Sequence, residues 1–374
     1  MINDRLKSRL EEADALREKA HYRQSLSIVN RALKTCGPRD FEGAYRCHLL
    51  SGHNWRMLGN FEKAIAHYEK AISFAGGISP ADISLAEGAK TLLPDATVSL
   101  SLAYRALGDW KEALSLLREA EKAYKRLKDE EALAFVLWSK GGTFRIKGDI
   151  GRAIETLLEA RKMFAALGDE HAVGFCLNGL GGANRIKGAY KTSLACYTKA
   201  NTLFKKLKDP FGLAYSFCGI GNALRMTGRH EEALKHFRQA LRIYRRIGDI
   251  VSSSYTLWST SKSLVMTGRP APALKALKEA EGFFARTRDP RGKIYCLLSE
   301  AEFSAMKGGG KKPIELAARA LEISRRHGFA IEACHASACL DFFKGETGDS
   351  LDTTCYRRLG LRRPDFRKVP VNIP

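Results

Sequence analysis

Arginine recurs at one place in six successive stretches of the chain: Arg17, Arg56, Arg105, Arg145, Arg185 and Arg225. A guanidinium is a planar fork that pairs with carboxylates or phosphates, so a row of them on one surface would be a ladder for an anionic partner. Counted from the glycines at 148, 188 and 228, each arginine stands three residues earlier, and further columns appear six, ten and thirteen residues earlier. The stripes read Phe135, Trp138, Gly142, Arg145, then Phe175, Asn178, Gly182, Arg185, then Tyr215, Cys218, Asn222, Arg225. Two more follow in the same register, Tyr255, Trp258, Lys262, Val265 and Tyr295, Leu298, Glu302, Ala305. Spaced three, four and three, the members of a stripe share one face of a helix. Amides such as Asn178, Asn184 and Asn222 suit the backbone of an extended peptide, and the aromatics supply rigid contact area or platforms for bases. The candidate partner-binding set is therefore Arg56, Arg105, Phe135, Trp138, Arg145, Phe175, Asn178, Arg185, Tyr215, Asn222, Arg225, Tyr255, Trp258 and Lys262.

A structural reading stands beside this one. Arginine just before a turn offsets the partial negative charge at a helix C-terminus, and recurring aromatics also serve as packing between neighbouring elements.

Catalytic chemistry has little support. The sequence has no ordered nucleophile and base pair, and Glu231 and Glu232 open a helix, where carboxylates suit the helix dipole. The run from Gly308 to Pro313 has lysines after glycines, but it lacks the remaining glycine and the hydroxyl residue of a phosphate loop and follows no strand. It reads as a loose turn with a proline opening the next helix. The nine cysteines form no CxxC pair. Cys176 and Cys296 share a column with Val136, Ser216 and Thr256, which marks a packing site, and free buried thiols are expected. Cys334, His335 and Cys339, and likewise Cys47, His48 and His53, lack a compact four-ligand spacing. No metal, no cofactor and no enzyme activity are expected.

The elements that position the stripes follow from a glycine returning every forty residues: Gly108, Gly148, Gly188, Gly228, Gly268, Gly308 and, more faintly, Gly348. A fixed period of that size marks one repeated unit. Five residues after the glycine stands a small residue (Ala64, Ala113, Ala153, Ser193, Ala233, Ala273), and twelve after it an alanine, from Ala32 and Ala71 to Ala320. Seven before it the column is small again: Gly52, Ser101, Gly141, Gly181, Gly221, Ser261, Ala301. An aspartate closes each unit (Asp129, Asp169, Asp209, Asp249, Asp289), five residues after an aromatic, and is a strong N-cap for the next helix. Each unit reads as helix, tight glycine turn, helix. For the unit ending at Asp249 this predicts helices over about 210–227 and 229–247. Such pairs bury their apolar faces only by stacking on their neighbours.

The segment from Gly221 to Ala233, with Gly228 at its turn and Ala240 beyond, resembles the tetratricopeptide (TPR) repeat. The forty-residue step and Lys208-Asp209 are similar to the longer subclass found in Pins/LGN-type adaptors, Rap regulators and the MalT regulatory domain. The resemblance covers nearly the whole chain. It implies an all-α fold, a right-handed TPR-like superhelical solenoid of about eight helix-turn-helix repeats plus a degenerate C-terminal capping repeat. In such an array the first helix of each pair lines the concave face, which is where the arginine and aromatic columns would fall.

The expected organisation is two repeats over 1–75, an insertion or kink over 76–94, six repeats over 95–328, a degenerate capping repeat over 329–360 and a basic extended tail over 361–374. Ser79-Pro80 reads as a helix start within the insertion and Pro94 as a break or kink. The N-terminus begins with charge and no long apolar run follows, so neither a signal peptide nor a membrane span is expected, and a cytoplasmic location is.

Lysine and arginine number 62 against 41 acids, a formal charge of +21, and from Tyr356 onward six bases face one acid. That balance favours an anionic partner. The preferred reading is a non-catalytic scaffold or adaptor that binds an acidic or extended protein segment in the groove. The alternative is an RNA- or DNA-associated repeat protein using the ladder and the tail on phosphates, and the terminal repeats would also suit self-association.

Overall fold

The computed structural model describes residues 4–77, 89–346, 350–367 and 369–374. Ser79, Pro80 and Gly348 lie outside the described residues. All regular structure among the described residues is helical. The chain divides into two compact units, Met1–Ser139 and Lys140–Pro374.

The first unit holds α1 (Asp4–Glu18), α2 (Tyr22–Leu33), α3 (Phe41–Met57), α4 (Phe61–Gly76), α5 (Ala89–Ala106) and α6 (Trp110–Leu127). Helix α7 (Glu130–Lys147) contains the division between the units. The second unit continues with α8 (Ile150–Ala166), α9 (Glu170–Lys187), α10 (Tyr190–Lys206), α11 (Pro210–Met226), α12 (His230–Ile247), α13 (Ile250–Met266) and α14 (Pro270–Thr287). It closes with α15 (Pro290–Ala305), α16 (Lys312–His327), α17 (Ala330–Phe343) and the short α18 (Thr354–Arg358). Consecutive helices pack in pairs, and in the second unit the first helices of neighbouring pairs also touch, α9 on α11, α11 on α13, α13 on α15 and α15 on α17. The turn glycines at 59, 108, 148, 188, 228, 268 and 308 all have positive φ, where a side chain would be strained.

The small columns have a direct geometric cause. A Cβ added at Gly181 would lie 2.8 Å from the Tyr197 ring, at Gly221 2.5 Å from Phe237, and at Gly141 2.6 Å from Leu157. In these three pairs the second helix thus drops one large side chain onto the bare backbone of the first. Ala153, Ala200, Ala233 and Ala240 are fully buried where the helices come closest. At the other end of the unit, Asp169 and Asp249 accept hydrogen bonds from the N–H groups of Ala172 and Ser252, capping α9 and α13. Their own N–H groups bond back to the carbonyls of Phe164 and Tyr244, the buried aromatics five residues earlier.

Three expectations are corrected. Pro94 does not end a helix, because α5 runs through it, and the proline forfeits the one backbone hydrogen bond that its missing N–H would have made. Cys334 and Cys355 are not free but joined in a disulfide with Cα atoms 5.8 Å apart, while the other seven cysteines are free thiols. The pairing spans 21 residues and arises because α18 folds back onto α17, a juxtaposition that no local spacing announces. The tail is extended but does not stand away from the protein as a basic arm. Leu361, Pro364, Phe366, Val371, Ile373 and Pro374 are buried, and Arg362, Arg363 and Arg367 face outward.

Candidate functional site

Each unit carries its own part of the arginine column. In the first, the Arg105 guanidinium lies 5.6 Å from the Trp138 ring centroid and donates to the Ser139 carbonyl at 3.4 Å. Phe135 is the most exposed member of the aromatic column and sits 5.4 Å from Trp138, centroid to centroid. Arg56 is half-buried near Tyr68. Arg17 is paired with Asp14 of its own helix at 2.7 Å.

In the second unit the columns climb from α7 to α15. Arg145 reaches across to α9, where the missing side chain of Gly182 leaves it room: a Cβ there would stand 3.2 Å from both the Arg145 Nη1 and the Tyr197 hydroxyl. Arg185 follows on α9, and its charge is felt at Tyr197, Arg225, Tyr295 and His335. Among the described residues neither Arg145 nor Arg185 is in an ion pair, and the Nε of each has no hydrogen-bond partner. Asn178, about two turns earlier on α9, is 2% exposed, and neither of its amide atoms finds a partner among the described residues. A buried, unbonded amide costs about 1–3 kcal/mol, so it is usually found where something else is to be bonded.

Arg225 on α11 differs from the rest of its column in being wholly buried. Its Nη1 donates to the Asn372 side-chain oxygen and, at 3.0 Å, to the Ile373 carbonyl. The Asn372 amide donates back to the Arg225 carbonyl at 3.0 Å. The guanidinium lies 5.4 Å from the Trp258 ring centroid, with Asn222 Oδ1 at 3.4 Å from its Nε. Asn222 is fixed in turn by the Ser259 hydroxyl at 2.9 Å. Burial, reinforced by the charge of Arg185, lowers the Arg225 pKa from its ordinary value, so the oxygens that the tail brings to it matter for keeping the cation.

On α13 and α15 the two members that follow Gly142, Gly182 and Asn222 in their column form an ion pair. Lys262 Nζ meets Glu302 Oε2 at 2.5 Å with both side chains buried. The other carboxylate oxygen accepts the Val371 N–H at 2.8 Å. Burial lowers the Lys262 pKa and raises that of Glu302, and their mutual attraction opposes both shifts. Trp258 is held by its indole N–H, which donates to Ser299 Oγ at 3.0 Å.

The aromatic column is largely engaged in packing. Phe175 lies 4.8 Å from Phe204 and 6.1 Å from Phe211, and the Tyr255 hydroxyl donates to Asp289, the cap of α15, at 2.6 Å. Tyr215 is half-buried beside Phe211. Asn184 donates to the Leu180 carbonyl of its own helix at 2.8 Å. The structure therefore brings Asn222, Arg225, Trp258 and Lys262 together and places Arg145, Asn178 and Arg185 on the neighbouring helices of the same unit. Arg56, Arg105, Phe135 and Trp138 belong to the other unit. Sequence reasoning placed Glu302 in the stripe but not in the candidate binding set, and it left out Ser299, Val371, Asn372 and Ile373. The signal for Glu302 was available: a lysine and then a glutamate occupy successive places in one column.

The tail reaches this place along a defined route. Cys355 ties α18 to α17, the Tyr356 hydroxyl meets His335 Nδ1 at 2.8 Å, and the Arg362 N–H donates to the Lys187 carbonyl at 3.1 Å at the end of α9. Residues 371–373 then bond to α11 and α15 through Arg225 and Glu302.

Glycine-turned helix pairs of this kind, capped by aspartate and stacked through small columns, define an α-helical repeat protein. Tetratricopeptide repeat models match residues 56–76, 95–127, 174–246 and 212–284. Over these stretches the chain carries tetratricopeptide repeats. No curated protein sequence matches it. Among solved structures it is similar to a Rap protein complexed with Competence and Sporulation Factor, at 12% identity and a TM-score of 0.68, covering 95% of this chain and 96% of that one. It is also similar to NprR in complex with its cognate peptide NprX, at 16% identity, a TM-score of 0.60 and coverage of 96% and 98%. Aspartyl phosphate phosphatase F from Bacillus subtilis matches at 11% identity and a TM-score of 0.59, over 88% and 96% of the two chains. At these identities the likeness is one of fold. Among the described residues no helix is long and apolar enough to cross a membrane, and no group of three or more metal-ligating side chains comes together.

Proposed function

We propose that the protein is a non-catalytic scaffold that binds an extended, acidic segment of a partner protein along the first helices of its second unit. The observation that carries this reading is the trio Arg145, Asn178 and Arg185: two guanidinium groups outside any ion pair and a buried amide with both atoms unbonded, among the described residues. An amide can both donate to and accept from a peptide backbone, and the two arginines fit carboxylates beside it. The formal charge of +21 adds long-range attraction for an acidic chain. The Rap and NprR structures of similar fold are complexes with Competence and Sporulation Factor and with the cognate peptide NprX, which is consistent with a peptide-binding array.

The test is affinity capture from the native cell with and without nuclease, followed by measurement of the captured partner's affinity. Arg145→Glu combined with Arg185→Glu should weaken a nuclease-resistant protein partner by roughly a hundredfold or more, since each change turns a charge-assisted contact worth about 1.5–3 kcal/mol into repulsion. Unchanged binding by the double variant would refute the groove assignment. Loss of every partner on nuclease treatment would refute the protein-segment reading itself.

A further inference from the structure

The six residues from Val369 to Pro374 occupy a site that has the properties of a receptor. Its floor offers a donor pair and an acceptor fixed in advance: the Arg225 guanidinium, held against Trp258 and Asn222, and the Glu302 carboxylate, held by Lys262. Against these the tail presents three backbone or amide groups in sequence. The Val371 N–H donates to Glu302, the Asn372 side chain both accepts from and donates to Arg225, and the Ile373 carbonyl accepts from the guanidinium. Val371 and Ile373, on either side of the asparagine, are fully buried or nearly so, while Asn372 is half-buried. This is how an extended strand is read: backbone groups give affinity, and pockets for alternate side chains give specificity.

The charges of the tail take no part in this recognition. Arg362, Arg363 and Arg367 are exposed, and Arg367 folds onto Asp365 two residues away. What the site selects is uncharged: an apolar residue, an asparagine and a second apolar residue in an extended strand. That differs in chemistry from the acidic segment proposed for Arg145, Asn178 and Arg185, and the two assignments stand or fall separately.

We infer that Asn222, Arg225, Trp258, Lys262 and Glu302 form a binding site for an extended apolar-Asn-apolar segment of a partner, and that residues 369–374 are its resident competitor in cis. A tethered segment faces its site at an effective concentration in the millimolar range, so an outside strand engages only by matching the tail's pattern and displacing it.

The experiment uses a fluorescein-labelled peptide of residues 364–374 and its fluorescence anisotropy with three proteins: the full chain, a chain lacking residues 369–374, and the full chain carrying Asn372→Ala. The truncated chain and the Asn372→Ala chain should bind the peptide at least about tenfold more tightly than the full chain, because the competitor is removed or weakened. The same peptide bearing Asn372→Ala should bind the truncated chain about tenfold more weakly. Should truncation abolish helical circular dichroism, the Asn372→Ala chain, which keeps the whole tail, carries the test alone. The inference is overturned if the folded truncated chain does not bind the peptide, if all folded proteins bind it equally, or if the peptide's asparagine can be replaced without effect. None of these readouts involves an acidic partner, so failure here leaves the proposed function standing, and failure there leaves this site standing.

Discussion

Replacing Lys262 with methionine isolates the contribution of the buried ion pair. In the native chain Glu302 lies between Lys262 at 2.5 Å and the Val371 N–H at 2.8 Å, with its side chain 5% exposed. Methionine fills much the same volume but leaves a carboxylate in an apolar setting with one hydrogen bond. Breaking a buried pair from one side costs about 3–5 kcal/mol when the remaining group stays charged. The carboxyl has an escape, which is protonation, and this sets the pH dependence. Burial already raises the Glu302 pKa above its ordinary 4.5, and without the lysine it rises further. A carboxyl whose folded pKa is raised gives full stability below its unfolded value and loses it as pH rises through the folded value, at about 1.4 kcal/mol per unit. The variant should therefore lie within about 1 kcal/mol of wild type near pH 5 and fall several kcal/mol behind near pH 8. Adding Glu302→Gln to Lys262→Met should restore most of the loss, because the amide oxygen still accepts from Val371 and no charge is left unpaired. Urea unfolding followed by helical circular dichroism at the two pH values measures all three proteins. Equal losses at both pH values would refute the assignment of the cost to an uncompensated carboxylate, as would a double variant no more stable than the single one.

Two further outcomes follow from the packing. Gly292→Ala places a Cβ 1.9 Å from the Phe284 ring, so the ring or the helix must shift, and a stability loss of about 1–3 kcal/mol is expected in the same urea assay. Gly228→Ala meets nothing within 4 Å but holds φ at +81°, and should cost only about 1–2 kcal/mol of backbone strain. His335 is wholly buried, and burial, with Arg185 and Arg291 adding to it against the opposing pull of Glu332, lowers its pKa from 6.5 to about 4. A histidine lowered in this way contributes fully above about pH 6.5 and loses its contribution as pH falls toward 4, so roughly 3 kcal/mol should disappear across that window. His335→Gln should flatten that part of the stability profile, and an unchanged slope would disprove the attribution.

The repeat was legible because each of its devices is local. A glycine at positive φ, an aspartate three residues before the N–H it caps and an alanine under a crossing helix all leave a mark at fixed spacing, and the helices read for the unit ending at Asp249 lie within about a residue of α11 and α12. The arginine column was legible as a column, but its environments were not. Arg145 and Arg185 stay outside ion pairs, whereas Arg225 is buried because a segment nearly 150 residues further along lies on it. Charge counting drew attention to Arg357, Arg358, Arg362 and Arg363 and away from the apolar residues between and after them. Leu361, Phe366, Val371 and Ile373 are what the fold uses, and their spacing follows an irregular strap, which has no period to find. The disulfide of Cys334 and Cys355 was hidden for the same reason.

A stacked repeat array is mechanically an open line, in which each pair holds only its neighbours and either end can peel without consulting the rest. The strap from Cys355 to Pro374 turns the second unit into a closed circuit. Fastened at Cys334, at the Lys187 carbonyl and at Arg225 and Glu302, it ties the final helices to the middle of the row. Fraying from that end therefore has to release bonds several repeats away, so the second unit should melt as one body where an untied array of equal length would unzip pair by pair.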